Sequence, residues 1–202
     1  MRKVKDYYYK KAKLDNYPAR SVYKLEEAQQ KYHFLQKGDT VLDLGCQPGS
    51  WSMYAARMVG PQGLVVGVDL KEGEEKRISG AAKIIWLCGD ITTEECITEL
   101  QKITVGFQNV VSDMAPKTTG NKWVDQQLSL RLAVRSLEIA DSLLLEKGNF
   151  YCKVFQGEDV DDFVKAVRER FTTTRIIKPK SSRTESREVY VLGMDYTGCA
   201  SE

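Results

Sequence analysis

Four short apolar runs in this chain end at or beside an aspartate, and that pattern narrows the possible folds more than any other feature. They are TVLDLG (40–45), LVVGVD (64–69), KIIWLCGD (83–90) and VGFQNVVSD (105–113). Short runs rich in Val, Ile and Leu suit strands of a parallel sheet covered on both faces. Parallel neighbours need a crossover, usually a helix. Helical spacing fills the gaps. Residues 18–34 place Val22, Leu25, Ala28 and Tyr32 on one face, with Ser21 as a cap. Residues 51–59 close at Gly60-Pro61, and 92–102 form another helix. The stretch 124–145 has an expected stripe of Leu128, Leu132, Leu137, Ala140 and Leu144. Residues 158–171 align Val160, Phe163, Val164, Val167 and Phe171, with an acidic first turn and a basic last turn that match the helix dipole. Further strands are expected at 149–154, 173–178 and 188–194. The loop 179–187 is too short for a crossover helix, so the last two strands should pair antiparallel. The alternation predicts a single α/β domain over 1–202. Its sheet is doubly wound, seven-stranded and mostly parallel, with the last strand antiparallel and helices on both faces.

In such a sheet, ligands bind beyond the carboxyl ends of the strands. Those ends carry Asp43-Leu-Gly45, Asp69, Asp90, Asp113 and Lys153. The first turn, DLGCQPGSW (43–51), lacks the glycine pattern that lets a backbone approach a pyrophosphate. Several carboxylates and few glycines suit a cationic nucleoside without phosphate, and S-adenosylmethionine, with its sulfonium and ammonium, is such a ligand. Asp69 lies 24 residues after Gly45, where an acid can accept ribose hydroxyls. Asp90 would sit near the adenine. The plainer alternatives are that Gly45 and Gly49 only shape a turn, and that Trp51 is a core residue.

The fourth and fifth strand ends would bring Asp113 and Lys153 together. Glu188 opens a strand running the other way, so it starts at the same sheet edge. Lys24 falls near the start of its helix, where a cation opposes the dipole, which suggests a reason other than helix stability. Composition locates a partner. Residues 1–24 hold eight Lys/Arg against two acids, and residues 165–188 hold eight against three. With a net charge of only +2, the remainder is strongly acidic. In the first segment Tyr7, Tyr8, Tyr9, Tyr17 and Tyr23 interleave with Lys3, Lys5, Lys10, Lys11, Lys13 and Arg20. Cations hold phosphates and aromatic rings stack on unpaired bases, so RNA is the expected partner, against the alternative of a solvated tail. The basic loop from Lys178 to Arg187 adds a second strip beside Glu188.

DYYYKKAK, RSVYKL, VLDLGCQPGSWS, SDMAP, KVFQG and SSRTESREVY, running from residue 6 to 190, together resemble the FtsJ/RrmJ-type (RlmE family) ribosomal RNA ribose 2′-O-methyltransferases. The resemblance implies a Rossmann-like S-adenosylmethionine-dependent methyltransferase fold. It implies a catalytic Lys-Asp-Lys-Glu tetrad at Lys24, Asp113, Lys153 and Glu188. Cofactor contacts follow at Gly49, Trp51, Asp69, Asp90 and Asp113, with Asp43 and Gly45 of the first turn beside them. The implied substrate is a uridine of large-subunit, 23S-type ribosomal RNA, reached as a flipped or single-stranded nucleotide. The family's glycine pair before the Trp is Gly49-Ser50 here, with little consequence expected, and the 71–79 segment departs from the family's form. Transfer RNA is an alternative substrate. A non-catalytic ribosome-assembly factor is an alternative role.

The chemistry is consistent with that resemblance. A ribose hydroxyl is a weak nucleophile and needs a base. A lysine can serve when burial or a neighbouring cation favours its neutral form. Asp113-Met-Ala-Pro116 lacks the aromatic that an adenine-amino methyltransferase would want, and no Cys is placed for attack on a cytosine carbon. Five cysteines without a CxxC pair, and a single histidine (His33), predict reduced thiols and no metal site. With no membrane span and no signal peptide, a cytoplasmic monomer is expected.

Overall fold

The computed structural model describes residues 7–73, 78–183 and 185–198. Lys3, Lys5, Cys199 and part of the 71–79 loop lie outside the described residues. The elements run α1 (Tyr7–Leu14), α2 (Val22–Tyr32), β1 (Thr40–Leu44), α3 (Ser50–Val59), β2 (Leu64–Asp69), β3 (Lys83–Cys88), α4 (Glu94–Ile103), β4 (Phe107–Ser112), α5 (Lys122–Leu143), β5 (Leu144–Phe155), α6 (Val160–Arg168), β6 (Phe171–Ile177) and β7 (Glu188–Tyr196). They build one sheet of seven strands in the order β3-β2-β1-β4-β5-β7-β6. The pairs β1–β2, β2–β3, β1–β4 and β4–β5 are parallel. β7 is antiparallel to both β5 and β6. The expected topology is therefore observed, and the start of β7 lies at the carboxyl end of the parallel strands.

Each face of the sheet buries its own apolar cluster. On one side Val66, Val110, Phe150 and Val191 pack against α4, α5 and α6. On the other, Val41, Val65, Tyr151 and Leu192 pack against α1, α2 and α3. Several boundaries differ from the sequence reading, each for a physical reason. The arm before α2 contains a helix, α1, whose Ala12 is buried. Ser21 makes no side-chain cap bond to α2. The buried stripe of α5 is half polar: Asp125, Gln126, Ser129 and Ser136 lie beside Ala133, Leu137, Ala140 and Leu143, while Leu128 and Leu132 are only partly covered. The serines are buried with partners: the Ser129 hydroxyl accepts the Phe155 amide at 3.1 Å, and Ser136 donates to the Leu132 carbonyl at 2.8 Å. Leu144 belongs to β5, which is longer than expected, and Phe171 belongs to β6. β3 lies at a sheet edge and is less covered than the central strands.

A polar network ties the strands at the end opposite the carboxyl edge. Asn109 of β4 is fully buried, and its Nδ2 donates to Asp39 Oδ2 at 2.7 Å. Asn149 Nδ2 donates to Asn109 Oδ1 at 2.9 Å and to the Phe34 carbonyl at 3.2 Å. Asn109→Ala strips partners from two groups and should cost about 1–3 kcal/mol. Urea unfolding measures this loss, and a variant as stable as the parent would show that the network contributes nothing.

Candidate active site

The turn between β1 and α3 is shaped by what surrounds it. Gly45 has φ +72°, and a Cβ there would stand 2.3 Å from Met114 Cγ. Gly49 has φ +101° and precedes α3, with the Trp86 ring 3.0 Å from its would-be Cβ. Only glycine adopts these left-handed conformations without strain while admitting so close a neighbour. Asp69 then fixes the turn: its Oδ2 accepts the Gln47 amide at 3.1 Å and its Oδ1 the Lys71 amide at 3.2 Å. Asp90 Oδ1 accepts the Thr92 amide at 2.9 Å and the Thr92 hydroxyl at 2.7 Å, and these bonds hold the carboxyl below its usual range.

These strand ends enclose a cleft of about 390 Å³. Asp69, Asp90 and Asp113 line it with apolar Val68, Leu70, Ile91, Met114 and Leu132. Its described lining has three carboxylates and no basic side chain. An anionic dinucleotide would meet repulsion here, whereas a cationic nucleoside meets complementary charge and an apolar wall for a base. The donor set thus fits S-adenosylmethionine. A niche of about 30 Å³ adjoins the cleft at Gly45, Gln47 and Asp113 and reaches Asp43. Asp43 is 1% exposed and accepts a 2.5 Å bond from the Ser52 hydroxyl. Burial pushes its carboxyl up to about 7, and the nearby Asp113 and Asp69 charges add to the rise.

The expected tetrad is assembled. Register pairs Ser112 with Cys152, so Asp113, just past the end of β4, and Lys153, still within β5, stand side by side. Lys153 Nζ donates to the Asp113 carbonyl at 2.6 Å and lies 3.1 Å from Asp113 Oδ1. The Lys153 side chain is 3% exposed, so its charge has left water and needs these partners. Lys24, in the first turn of α2, places Nζ 2.7 Å from Glu188 Oε2 and 3.9 Å from Asp113 Oδ1. Tyr190, absent from the sequence reading, donates from Oη to the same Asp113 oxygen at 2.6 Å. Its hydroxyl is held well above its ordinary pKa, by burial first and then by the Asp113 charge. The signal for it was the two-residue period of a strand, which puts Tyr190 on the face of Glu188. Tyr151 was also missed; its hydroxyl donates to the Lys24 carbonyl at 3.0 Å.

Trp51 does not open on the large cleft. It is 3% exposed, its ring stacks on Tyr151 with centroids 5.5 Å apart, and its Nε1 donates to the Ser21 carbonyl at 2.9 Å. It is the packed core residue of the plainer alternative, touching the site only at the small niche. Ser50, expected to matter little, accepts the Ala19 amide on its hydroxyl at 2.7 Å. Gly157 of the KVFQG motif has its own packing reason: a Cβ there would lie 1.8 Å from the Gln126 amide carbon.

The basic arm divides. Tyr23 is 1% exposed and bonds Asp15 at 2.9 Å, and Lys11 pairs with Asp15 and Glu26, each at 3.4 Å. Lys10, Lys13, Tyr7 and Tyr9 face solvent. Arg20, Lys24, Arg183 and Glu188 line a groove of about 340 Å³ on the outer side of the tetrad. Arg187 is structural, donating to the Lys122 carbonyl at 3.1 Å and the Gln156 carbonyl at 2.6 Å. Among the described residues no His/Cys/Asp/Glu group of metal-binding geometry occurs, and no helix is long and apolar enough to cross a membrane.

Fold and site together define an S-adenosylmethionine-dependent methyltransferase. The model of the FtsJ-like methyltransferase family matches residues 17–196. The chain is 58% identical over 196 residues, 97% of this chain and 98% of the relative, to a ribosomal RNA large subunit methyltransferase E of Desulfotalea psychrophila. It is 45% identical over 192 residues, 95% and 91% of the two chains, to the protein of the same name from Desulfosudis oleivorans. Among solved structures, a Plasmodium falciparum protein assigned as a ribosomal RNA methyltransferase superposes with a TM-score of 0.77 at 24% identity, covering 90% of this chain and all of that one. Aeropyrum pernix fibrillarin, crystallised with natively bound S-adenosyl-L-methionine, gives 0.61 at 16% identity, covering 86% of this chain and 76% of that one. The last two likenesses concern the fold. The chain belongs to the FtsJ-like methyltransferase family.

Asp43 generates a pH prediction. Its folded pKa lies above the ordinary carboxylate value, so between about 4 and about 7 the folded state binds a proton that the unfolded chain has released. Its contribution therefore destabilises the ligand-free fold progressively as pH rises through that window. Asp43→Asn should flatten this fall and leave the ligand-free protein more stable than the parent at pH 8. Urea unfolding from pH 4 to 8 provides the comparison, and parallel curves for the two proteins would overturn it.

Proposed function

We propose that the protein transfers a methyl group from S-adenosylmethionine to the ribose 2′-hydroxyl of a nucleotide in large-subunit ribosomal RNA, a uridine by its resemblance. The observation that supports this most directly is the Lys24–Asp113–Lys153–Glu188 cluster, because Asp113 borders both the acidic cleft and the tetrad. Bound S-adenosylmethionine supplies a methyl carbon activated by its sulfonium. Asp69 would accept the ribose hydroxyls of that cofactor, Asp90 would border its base, and Asp43 and Asp113 would attract its cationic end. Gly45 and Gly49 keep the turn close enough for these contacts.

On the other side of Asp113, the target ribose enters the groove of Arg20, Lys24 and Arg183. Lys153, having released its own ammonium proton to solvent, would take the proton of the 2′-hydroxyl as that oxygen accepts the methyl group, and so return to the ammonium that Asp113 holds. Asp113 and Tyr190 fix the Lys153 ammonium on one side, and Glu188 fixes Lys24 on the other. The aligned arrangement contributes by orientation as well as by proton transfer. The relatives named for the large ribosomal subunit, identical at more than half of their positions in one case, favour ribosomal over transfer RNA and an active enzyme over an assembly factor. A soluble, monomeric, cytoplasmic protein accords with this role.

Labelled methyl transfer to large subunits, free ribosomal RNA and transfer RNA tests the assignment. The label should appear on ribose of large-subunit RNA, and Lys153→Ala should lose about 100-fold or more in kcat. Label confined to transfer RNA, to a base, or absent altogether would overturn the reading. A second outcome concerns the arm. Lys10→Glu with Lys13→Glu should weaken RNA binding at least tenfold and lower its salt dependence, with S-adenosylmethionine affinity unchanged by calorimetry. Lys11 is left out because its ammonium is engaged within the fold.

A further inference from the structure

The site above leaves one prominent group unused. Trp123 is 64% exposed, the bulkiest apolar side chain so placed among the described residues. Its backbone is firmly held. Asn121 Oδ1 accepts the amides of Trp123 at 3.0 Å and Val124 at 3.2 Å, capping α5. Asp125 Oδ1 accepts the Thr119 amide at 2.6 Å and hydroxyl at 2.9 Å, which fixes the loop leading in. The indole is therefore presented to solvent by a rigid turn.

That turn stands at the catalytic end of the sheet. Arg187, the residue before Glu188, donates to the Lys122 carbonyl at 3.1 Å and ties the start of α5 to the start of β7. A groove of about 260 Å³ runs from Glu188 to Lys122 past Phe155. It shares Glu185, Ser186 and Glu188 with the groove that contains Lys24, so the two are continuous. From Met114 to Val124 the charged residues are Lys117 and Lys122, with no acid, and both lysines are exposed. An exposed aromatic face that follows two exposed lysines, one of them Lys122 on the rim of a channel leaving the reacting groups, suits a polyanion that carries planar bases.

We propose that Trp123 stacks on an unpaired base flanking the methylated nucleotide, with Lys117 and Lys122 on the adjoining phosphates. Trp123 thus acts as a positioning residue for the substrate strand and does not touch the transferred methyl. This rests on the RNA reading above and extends it from the target ribose to its neighbour.

The chain's other indoles, Trp51 and Trp86, are 3% exposed and half-buried, so the solvent-exposed emission comes from Trp123. Titration of the full-length protein with a single-stranded oligouridylate should quench that emission in the parent. Trp123→Phe should remove the quench while keeping affinity within about threefold. Trp123→Ala should raise Kd for the oligonucleotide and KM for large ribosomal subunits by about 5- to 20-fold, with kcat within twofold and S-adenosylmethionine affinity unchanged. Lys117→Gln with Lys122→Gln should lower the salt slope of binding by about 1.4. Loss of kcat with KM unmoved would point to a fold defect and overturn the proposal. An Ala variant that binds RNA like the parent, while the parent methylates ribosomal RNA, would overturn the stacking alone. A parent that binds and is quenched but transfers no methyl would overturn the function reading and leave the stacking in place.

Discussion

One carboxylate oxygen organises this molecule. Asp113 Oδ1 receives the Tyr190 hydroxyl at 2.6 Å and the Lys153 ammonium at 3.1 Å, and Lys24 lies 3.9 Å away. Its position follows from topology. β4 and β5 are parallel neighbours, so their first residues beyond the ladder meet. The reversed β7 brings Glu188 and Tyr190 to the same edge. Lys153 Nζ is almost fully buried, and a buried ammonium is tolerable only with such partners. Removing Asp113 would leave two lysines and a tyrosine hydroxyl without their common acceptor, which is a larger loss than one ion pair.

The charge of the chain is sorted in space as well as in sequence. The cleft inside the strand ends is acidic and apolar, whereas the groove outside the tetrad carries Arg20, Lys24 and Arg183. A cation and a polyanion would each find one side favourable and the other repulsive. The boundary between the two fields is the tetrad, where opposite charges alternate within 4 Å. A small net charge conceals this division completely.

The strand ends and the meeting of Asp113, Lys153 and Glu188 were legible because they obey strong rules, namely short apolar runs, parallel register and reversal of the last strand, whereas Lys24, on a helix, joined them through the family resemblance. Other features were hidden for identifiable reasons. α1 has a weak apolar pattern and is held by one small residue, Ala12, and by ion pairs of Lys11, so its composition read as a solvated arm. The α5 stripe was right at Leu137 and Ala140 but misplaced in its first half, because Asp125, Gln126 and Ser129 take the buried positions there. Trp51 sits in a motif associated with cofactor binding, yet its ring is stacked within the core. Such packing depends on Tyr151, a hundred residues further along, which local sequence does not report.

The departure at Ser50 has a mechanical outcome. Through Ala19 and Ser21, this hydroxyl and the Trp51 indole fasten the segment that carries Arg20 to the first turn of α3. Arg20 lines the outer groove, and Gly49 and Ser50 belong to the turn bounding the inner cleft. The inner cleft and the outer groove thus share a hydrogen-bonded wall. If a ligand on one side shifts that wall, reciprocity fixes the change in affinity to the same factor in both directions.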